Sequence, residues 1–140
     1  LAGLIREYAR DVRVEVLACP GWATKVETLK LDDADFAATV AGHLAPVLEA
    51  GADRIVLGCT HYSFLTPVLA PIVAGRALLV DVADAVARQC ERLAGPAAHG
   101  AGRLTLLATA HPERLQAALG ALGLNRLQPR LTGPAQAAAT

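Results

Sequence analysis

Short apolar segments alternate with stretches of helical spacing along almost the whole chain, and this alternation constrains the fold most. Val12–Leu17 is β-branched, with Val12, Val14 and Val16 on one face, which is a strand pattern. Pro20 and Gly21 then force a loop. From Asp32 to Ala50, Phe36, Val40, Leu44, Val47 and Leu48 form a helical stripe. Asp32 or Asp33 supplies its cap and Gly51 its stop. A strand follows at Arg54–Leu57, a helix interrupted near Pro67 and Pro71 at Leu65–Val73, and a strand at Ala77–Val80 ending on Asp81. Next come a helix at Asp84–Leu93, a strand at Arg103–Ala108, a helix at Glu113–Ala121 and a last strand at Leu124–Leu131. Leu1–Asp11 reads as the end of a helix, and Trp22–Leu29 has no assigned type. Gly95–Gly102, which holds His99, reads as a linker, and Thr132–Thr140 as a loose tail.

The expected architecture is an α/β fold: a parallel sheet buried on both faces between helices, a three-layer sandwich. Such sheets bind ligands beyond the carboxyl ends of their strands. Cys19, Cys59, Asp81 and Thr109 all fall at those ends.

Hydrophobic residues make up 54% of the chain, enough for a packed core and too many for a disordered one. Thirteen basic residues balance thirteen acidic ones, so no charge excess invites nucleic acid. No apolar run is long enough for a membrane span. Three widely spaced cysteines give neither a disulfide framework nor a CxxC zinc or redox site, which suits a reducing, cytoplasmic setting. No GxGxxG or Walker A sequence signals a nucleotide. Neither a cofactor nor a metal is expected. The chain begins at Leu1 and contains no methionine, which favours part of a longer protein.

Gly58-Cys59-Thr60-His61 carries the strongest chemistry. The cysteine follows an apolar strand, and a helix starts a few residues later, where backbone N–H groups stabilise a thiolate. His61 can relay a proton or hold a charged ligand, and Thr60 offers a hydroxyl and an N–H to a carboxylate. A buried structural cysteine is the plain alternative. Amide hydrolysis would want a separate histidine base, and His43 on a helix flank and His99 in a linker are poor choices. Cys90 lies in a helix beside Gln89 and Glu91 and reads as a packing residue.

The run Val56-Leu57-Gly58-Cys59-Thr60-His61-Tyr62 closely resembles the second cysteine motif of glutamate racemases, within the aspartate/glutamate racemase superfamily. Cys19-Pro20-Gly21-Trp22 with Val26-Glu27, Gly51-Ala52-Asp53, Leu79-Val80-Asp81 and Leu107-Ala108-Thr109 resemble further segments of that family. The likeness covers residues 12 to 125 or so. It implies a catalytic Cys59 assisted by His61, and substrate-binding roles for Thr60, Glu27, Asp81 and Thr109. Cys19 then packs near the site. The chain departs from the family at Ser63, where proline is usual, and at Ala110-His111, where a small residue and Asp are common.

The family's first half supplies a second cysteine, an Asp-Ser pair and a Cys-Asn-Thr segment, none of which this chain contains. The resemblance thus implies the C-terminal part of a two-domain enzyme. Residues 1–75 would form most of the second domain, and 76–140 would return to complete the absent first one. Expected partners are a small amino acid substrate and the N-terminal half of the same enzyme, with homodimerisation open. The implied function is cofactor-independent L/D-glutamate racemisation by two cysteines, feeding peptidoglycan synthesis. Racemisation of aspartate or another amino acid, and a non-catalytic α/β interaction module, stand as alternatives.

Overall fold

Helix α3 (Ala34–Glu49) organises the chain. Its residues Phe36, Val40, Leu44 and Leu48 recur every fourth position, so their side chains stack on one face, and all four are buried. Asp33 is the cap: its carboxylate accepts hydrogen bonds from the N–H groups of Asp35 and Phe36 and pairs with Lys25. The Lys25 bond and the Phe36 N–H hold the Asp33 carboxyl below the usual carboxylate range. At the other end Gly51 adopts a φ of 82°, which a side chain would resist, and the chain turns there into the first strand.

The computed structural model describes residues 1–95, 102–131, 133–134 and 136–137. His99 and most of the expected 95–102 linker lie outside them. Helix α1 (Ala2–Tyr8) leads into a stretch without regular structure, then helix α2 (Trp22–Glu27) fills the segment left unassigned by sequence. Strand β1 (Arg54–Leu57) precedes the Cys59 turn, a 3-10 turn at Tyr62–Leu65 and helix α4 (Thr66–Val73). Strand β2 (Leu78–Asp81), helix α5 (Ala83–Ala94), strand β3 (Leu107–Ala108), helix α6 (Pro112–Ala121), a second 3-10 turn at Asn125–Arg130 and strand β4 (Gln136–Ala137) complete the order.

Strands β1 and β2 run parallel with Leu57 opposite Asp81, and β3 pairs parallel with β4. The fold is thus α/β with parallel pairing, as expected. Residue 75, the expected division, falls just before β2, which pairs with β1. The core gathers Trp22 and Val26 of α2, the stripe of α3, Leu57, Leu65, and Leu69 and Val73 of α4. No helix among the described residues is long and apolar enough to cross a membrane.

Several expectations need correction. Val12–Leu17 is not a strand. It has no regular structure and leaves Val12, Val14 and Val16 exposed: strand structure needs a hydrogen-bonding partner, and this stretch makes no ladder among the described residues. Helix α4 is not interrupted: Pro67 sits in its first turn, where a missing N–H costs nothing, and Pro71 removes one internal bond without breaking it. Leu124–Leu131 is mostly 3-10 helix, not strand, which places half-buried Leu124 and Leu127 three residues apart on one side. Within the expected strand Arg103–Ala108 only Leu107–Ala108 is regular, with an isolated bridge from Leu104 to Leu131. The expected loose tail contributes β4, whose Gln136 N–H donates to the Leu106 carbonyl at 2.9 Å.

The core makes a checkable contrast. Leu44 is 2% exposed and Leu78 58% exposed. Leu44→Ala leaves a cavity under α3 and costs about 3 kcal/mol, whereas Leu78→Ala costs roughly 0.5 kcal/mol or less. Urea unfolding followed by circular dichroism separates the two, and equal costs would contradict this packing.

Candidate active site

The site begins where β1 ends. Leu57 is buried in the core, and Gly58 carries the chain out beyond the strand, so Cys59 sits half-buried at the carboxyl end of the β1–β2 pair. The Tyr62 N–H donates back to the Cys59 carbonyl at 2.9 Å, which folds Cys59–Tyr62 into a tight turn. That turn brings the side chain of His61 onto Cys59, with Sγ and Nδ1 3.6 Å apart.

The opposite ring nitrogen of His61 has a partner from far along the chain. Nε2 lies 2.5 Å from Glu27 Oε1, at the end of α2. A carboxylate only accepts, so Nε2 carries a proton and Nδ1 is left free to exchange one with the thiol. Cys59, His61 and Glu27 therefore form a continuous line: thiol, imidazole, orienting carboxylate. Nucleophile–base pairs oriented by a third group use this arrangement.

The electrostatics follow the geometry. The His61 backbone N–H, then its imidazole, hold the Cys59 thiol below the usual range, and the Tyr62 N–H adds to this. The Glu27 carboxylate, followed by the Cys59 sulfur, raises His61 above an ordinary histidine. The two groups thus move toward each other, which favours sharing a proton. Cys19 behaves oppositely: burial pushes its thiol up, as befits a packing residue. Cys90 is exposed on α5, rather than packed as its helical position suggested.

Position in α2 matters because that helix supplies Glu27. Trp22 anchors it: the ring is buried, tilts against Tyr62 at 5.2 Å between centroids, and donates from Nε1 to His43 Nδ1 at 3.1 Å. Tyr62 in turn donates its hydroxyl to the Cys19 carbonyl at 3.4 Å. His43 was set aside in the sequence as a helix-flank residue, and its contact with a tryptophan 21 positions away has no local signal.

The remaining expected residues divide. Thr60 is exposed within the Cys59 turn. Asp81 lies at the end of β2, and its Oδ1 accepts hydrogen bonds from Ser63 Oγ at 2.8 Å and Ala83 N–H at 2.9 Å. Thr109 follows β3 in the other sheet, and no hydrogen bond among the described residues ties it to the Cys59 turn. His111 pairs with its neighbour Glu113 at 3.1 Å. A cavity of about 880 Å³ opens beside Cys59, between the Val12–Leu17 stretch and β1, and Cys19, Trp22 and Tyr62 also line it. No cluster of three or more His, Cys, Asp or Glu residues placed to hold a metal occurs among the described residues.

Comparison with known proteins finds sequence relatives and a structural neighbour. A glutamate racemase of Herpetosiphon aurantiacus is 47% identical over 90 residues, 64% of this chain and 35% of that protein. One from Pseudomonas putida is 38% identical over 125 residues, 86% of this chain and 47% of its own length. The chain is a partial homologue of the glutamate racemases. It spans between about a third and a half of the curated relatives it matches, in keeping with the C-terminal part that its motifs resemble. A crystal structure of a glutamate racemase isoform from Bacillus anthracis superposes with a TM-score of 0.74 at 19% identity, covering 99% of this chain and 51% of that one. That likeness is one of fold. No family model matches the chain.

Proposed function

We propose that this chain supplies one wall of a cofactor-independent racemase site that interconverts L- and D-glutamate. The carrying observation is the Cys59–His61–Glu27 line at a strand end, in a chain homologous to glutamate racemases. Racemisation removes the Cα proton from one face and returns a proton to the other. In this reading the Cys59 thiolate takes the proton from L-glutamate, leaving its charge delocalised onto the α-carboxylate. A thiol on the opposite face, carried by an N-terminal half of the enzyme, then protonates Cα to give the D-enantiomer. In the reverse direction Cys59 is the proton donor. His61 holds or relays the Cys59 proton and Glu27 fixes its ring.

The developing charge on the substrate carboxylate needs donors, and N–H groups beyond the strand ends suit it. Thr60 offers a hydroxyl there, while Glu27, Asp81 and Thr109 complete the proposed substrate-binding set. Residues 1–75 would then form most of the domain that bears Cys59, and 76–140 would return toward the other. The product would feed peptidoglycan synthesis in the cytoplasm. Homodimerisation is compatible with this reading, and aspartate or another amino acid is the alternative substrate.

The test is an assay of Cα–H exchange and enantiomer ratio, with L-glutamate and L-aspartate side by side. Joined to the N-terminal half of the Pseudomonas putida relative, the chain is expected to racemise glutamate. Alone it should convert neither substrate measurably. Conversion by the isolated chain would overturn the two-halves reading, and a preference for aspartate would change the substrate.

A further inference from the structure

Ser63 stands outside every role given so far, and it makes an unusual contact. Its hydroxyl donates to Asp81 Oδ1 at 2.8 Å across 18 residues of sequence. The same oxygen accepts the Ala83 N–H at 2.9 Å, which fixes the carboxylate against the start of α5. Asp81 is also the residue opposite Leu57 in the parallel register of β1 and β2. The chain therefore meets Asp81 twice: through Leu57, just before the cysteine turn, and through Ser63, just after it. Gly58–Tyr62, with Cys59 inside, is a loop closed at both feet on a single residue of the neighbouring strand.

We infer that Ser63 and Asp81 form a strut that holds the Cys59–His61 turn over the end of β2, with Ser63 as a positioning residue for the thiol. The inference rests on the racemase reading for its purpose but not for its geometry. A loop of this size has few other restraints. Within it, the Gly58 N–H donates to the Val56 carbonyl and the Tyr62 N–H to the Cys59 carbonyl, and neither bond reaches a neighbouring strand. On its other flank the loop is held by the long Tyr62 hydroxyl bond to the Cys19 carbonyl and by the Glu27–His61 bond. Without the strut, the turn could tilt away from β2, and the 3.6 Å approach of Nδ1 to Sγ would no longer be enforced.

The same contact gives Asp81 a structural task alongside its proposed place near substrate. With Oδ1 shared between two donors, that oxygen is committed to the loop and to α5.

The test compares iodoacetamide alkylation of Cys59 with that of the exposed Cys90 in the same chain, by peptide mass spectrometry across pH 5 to about 9. In the parent, Cys59 reacts faster than Cys90 at neutral pH. Ser63→Ala is expected to lower that ratio about fivefold, the usual worth of one hydrogen bond, and to move the Cys59 profile to higher pH. Asp81→Ala does the same, and Ser63→Thr, which keeps the hydroxyl, restores the parental ratio. An unchanged ratio in Ser63→Ala, a loss that threonine does not rescue, or a parental Cys59 no faster than Cys90 would each overturn the strut. Failure of the racemase reading would show instead in the enantiomer assay, with these alkylation ratios intact.

Discussion

Cys59→Ser in a protein that joins this chain to the N-terminal half of the Pseudomonas putida relative should lower racemisation of glutamate by about a thousandfold or more. Serine keeps the size and one hydrogen-bonding atom, so packing at the carboxyl end of β1 is undisturbed. What changes is acidity. A serine hydroxyl is far less acidic than a thiol, so the histidine and two backbone N–H groups that lower Cys59 cannot bring it near neutrality, and the proposed proton acceptor for Cα is lost. The effect should fall on kcat, with KM moved little, because the proposed binding donors such as Thr60 stay in place. Steady-state kinetics in both directions, with circular dichroism to verify folding, decide it. Retention of more than roughly a tenth of the activity would remove Cys59 from the chemistry.

The second large effect concerns Glu27. Glu27→Gln keeps the shape and removes the charge that raises His61. With that charge gone the histidine loses its proton at lower pH, and an uncharged imidazole stabilises the Cys59 thiolate less. The thiol therefore ionises at higher pH, and the acid limb of kcat/KM shifts upward. The two shifts belong to a coupled pair, so the profile reports both together. Magnitude is set by exposure. The Glu27 side chain is 68% exposed, so solvent screens the pair and a loss of about tenfold at neutral pH is expected rather than a hundredfold. An acid limb that stays where it was would show that Glu27 packs beside His61 without tuning it.

How legible this was depends on how local each feature is. Helix α3 could be read outright, since its four-residue stripe, Asp33 and Gly51 are all contiguous signals. Strands β1 and β2 were equally plain as short apolar runs. The cysteine turn was visible because its thiol and histidine are two residues apart. Glu27 was named through family likeness, but its bond to His61 crosses 34 residues and no periodicity reports it. Ser63 was noticed only as a departure from the family pattern. Its carboxylate partner arrives only through strand pairing. Val12–Leu17 failed for a related reason: alternation encodes a willingness to pair, and the partner is not written into the segment. The 3-10 turn at Asn125–Arg130 was misread because an apolar run of that length fits either period.

The Val12–Leu17 stretch has a consequence for handling the molecule. Strand β1 pairs only with β2 among the described residues, so one of its edges is open. Nearby runs a stretch with alternating valines and an Arg13–Glu15 ion pair on its other side. A donor strand and an acceptor edge thus coexist in one chain, and nothing in their chemistry reserves one for the other. Copies brought close together can cross-pair, each lending its valine stretch to the next in an open-ended series. The Arg13 and Glu15 charges cancel and supply no repulsion against it. Cross-pairing of this kind would make the chain's association rise with its concentration.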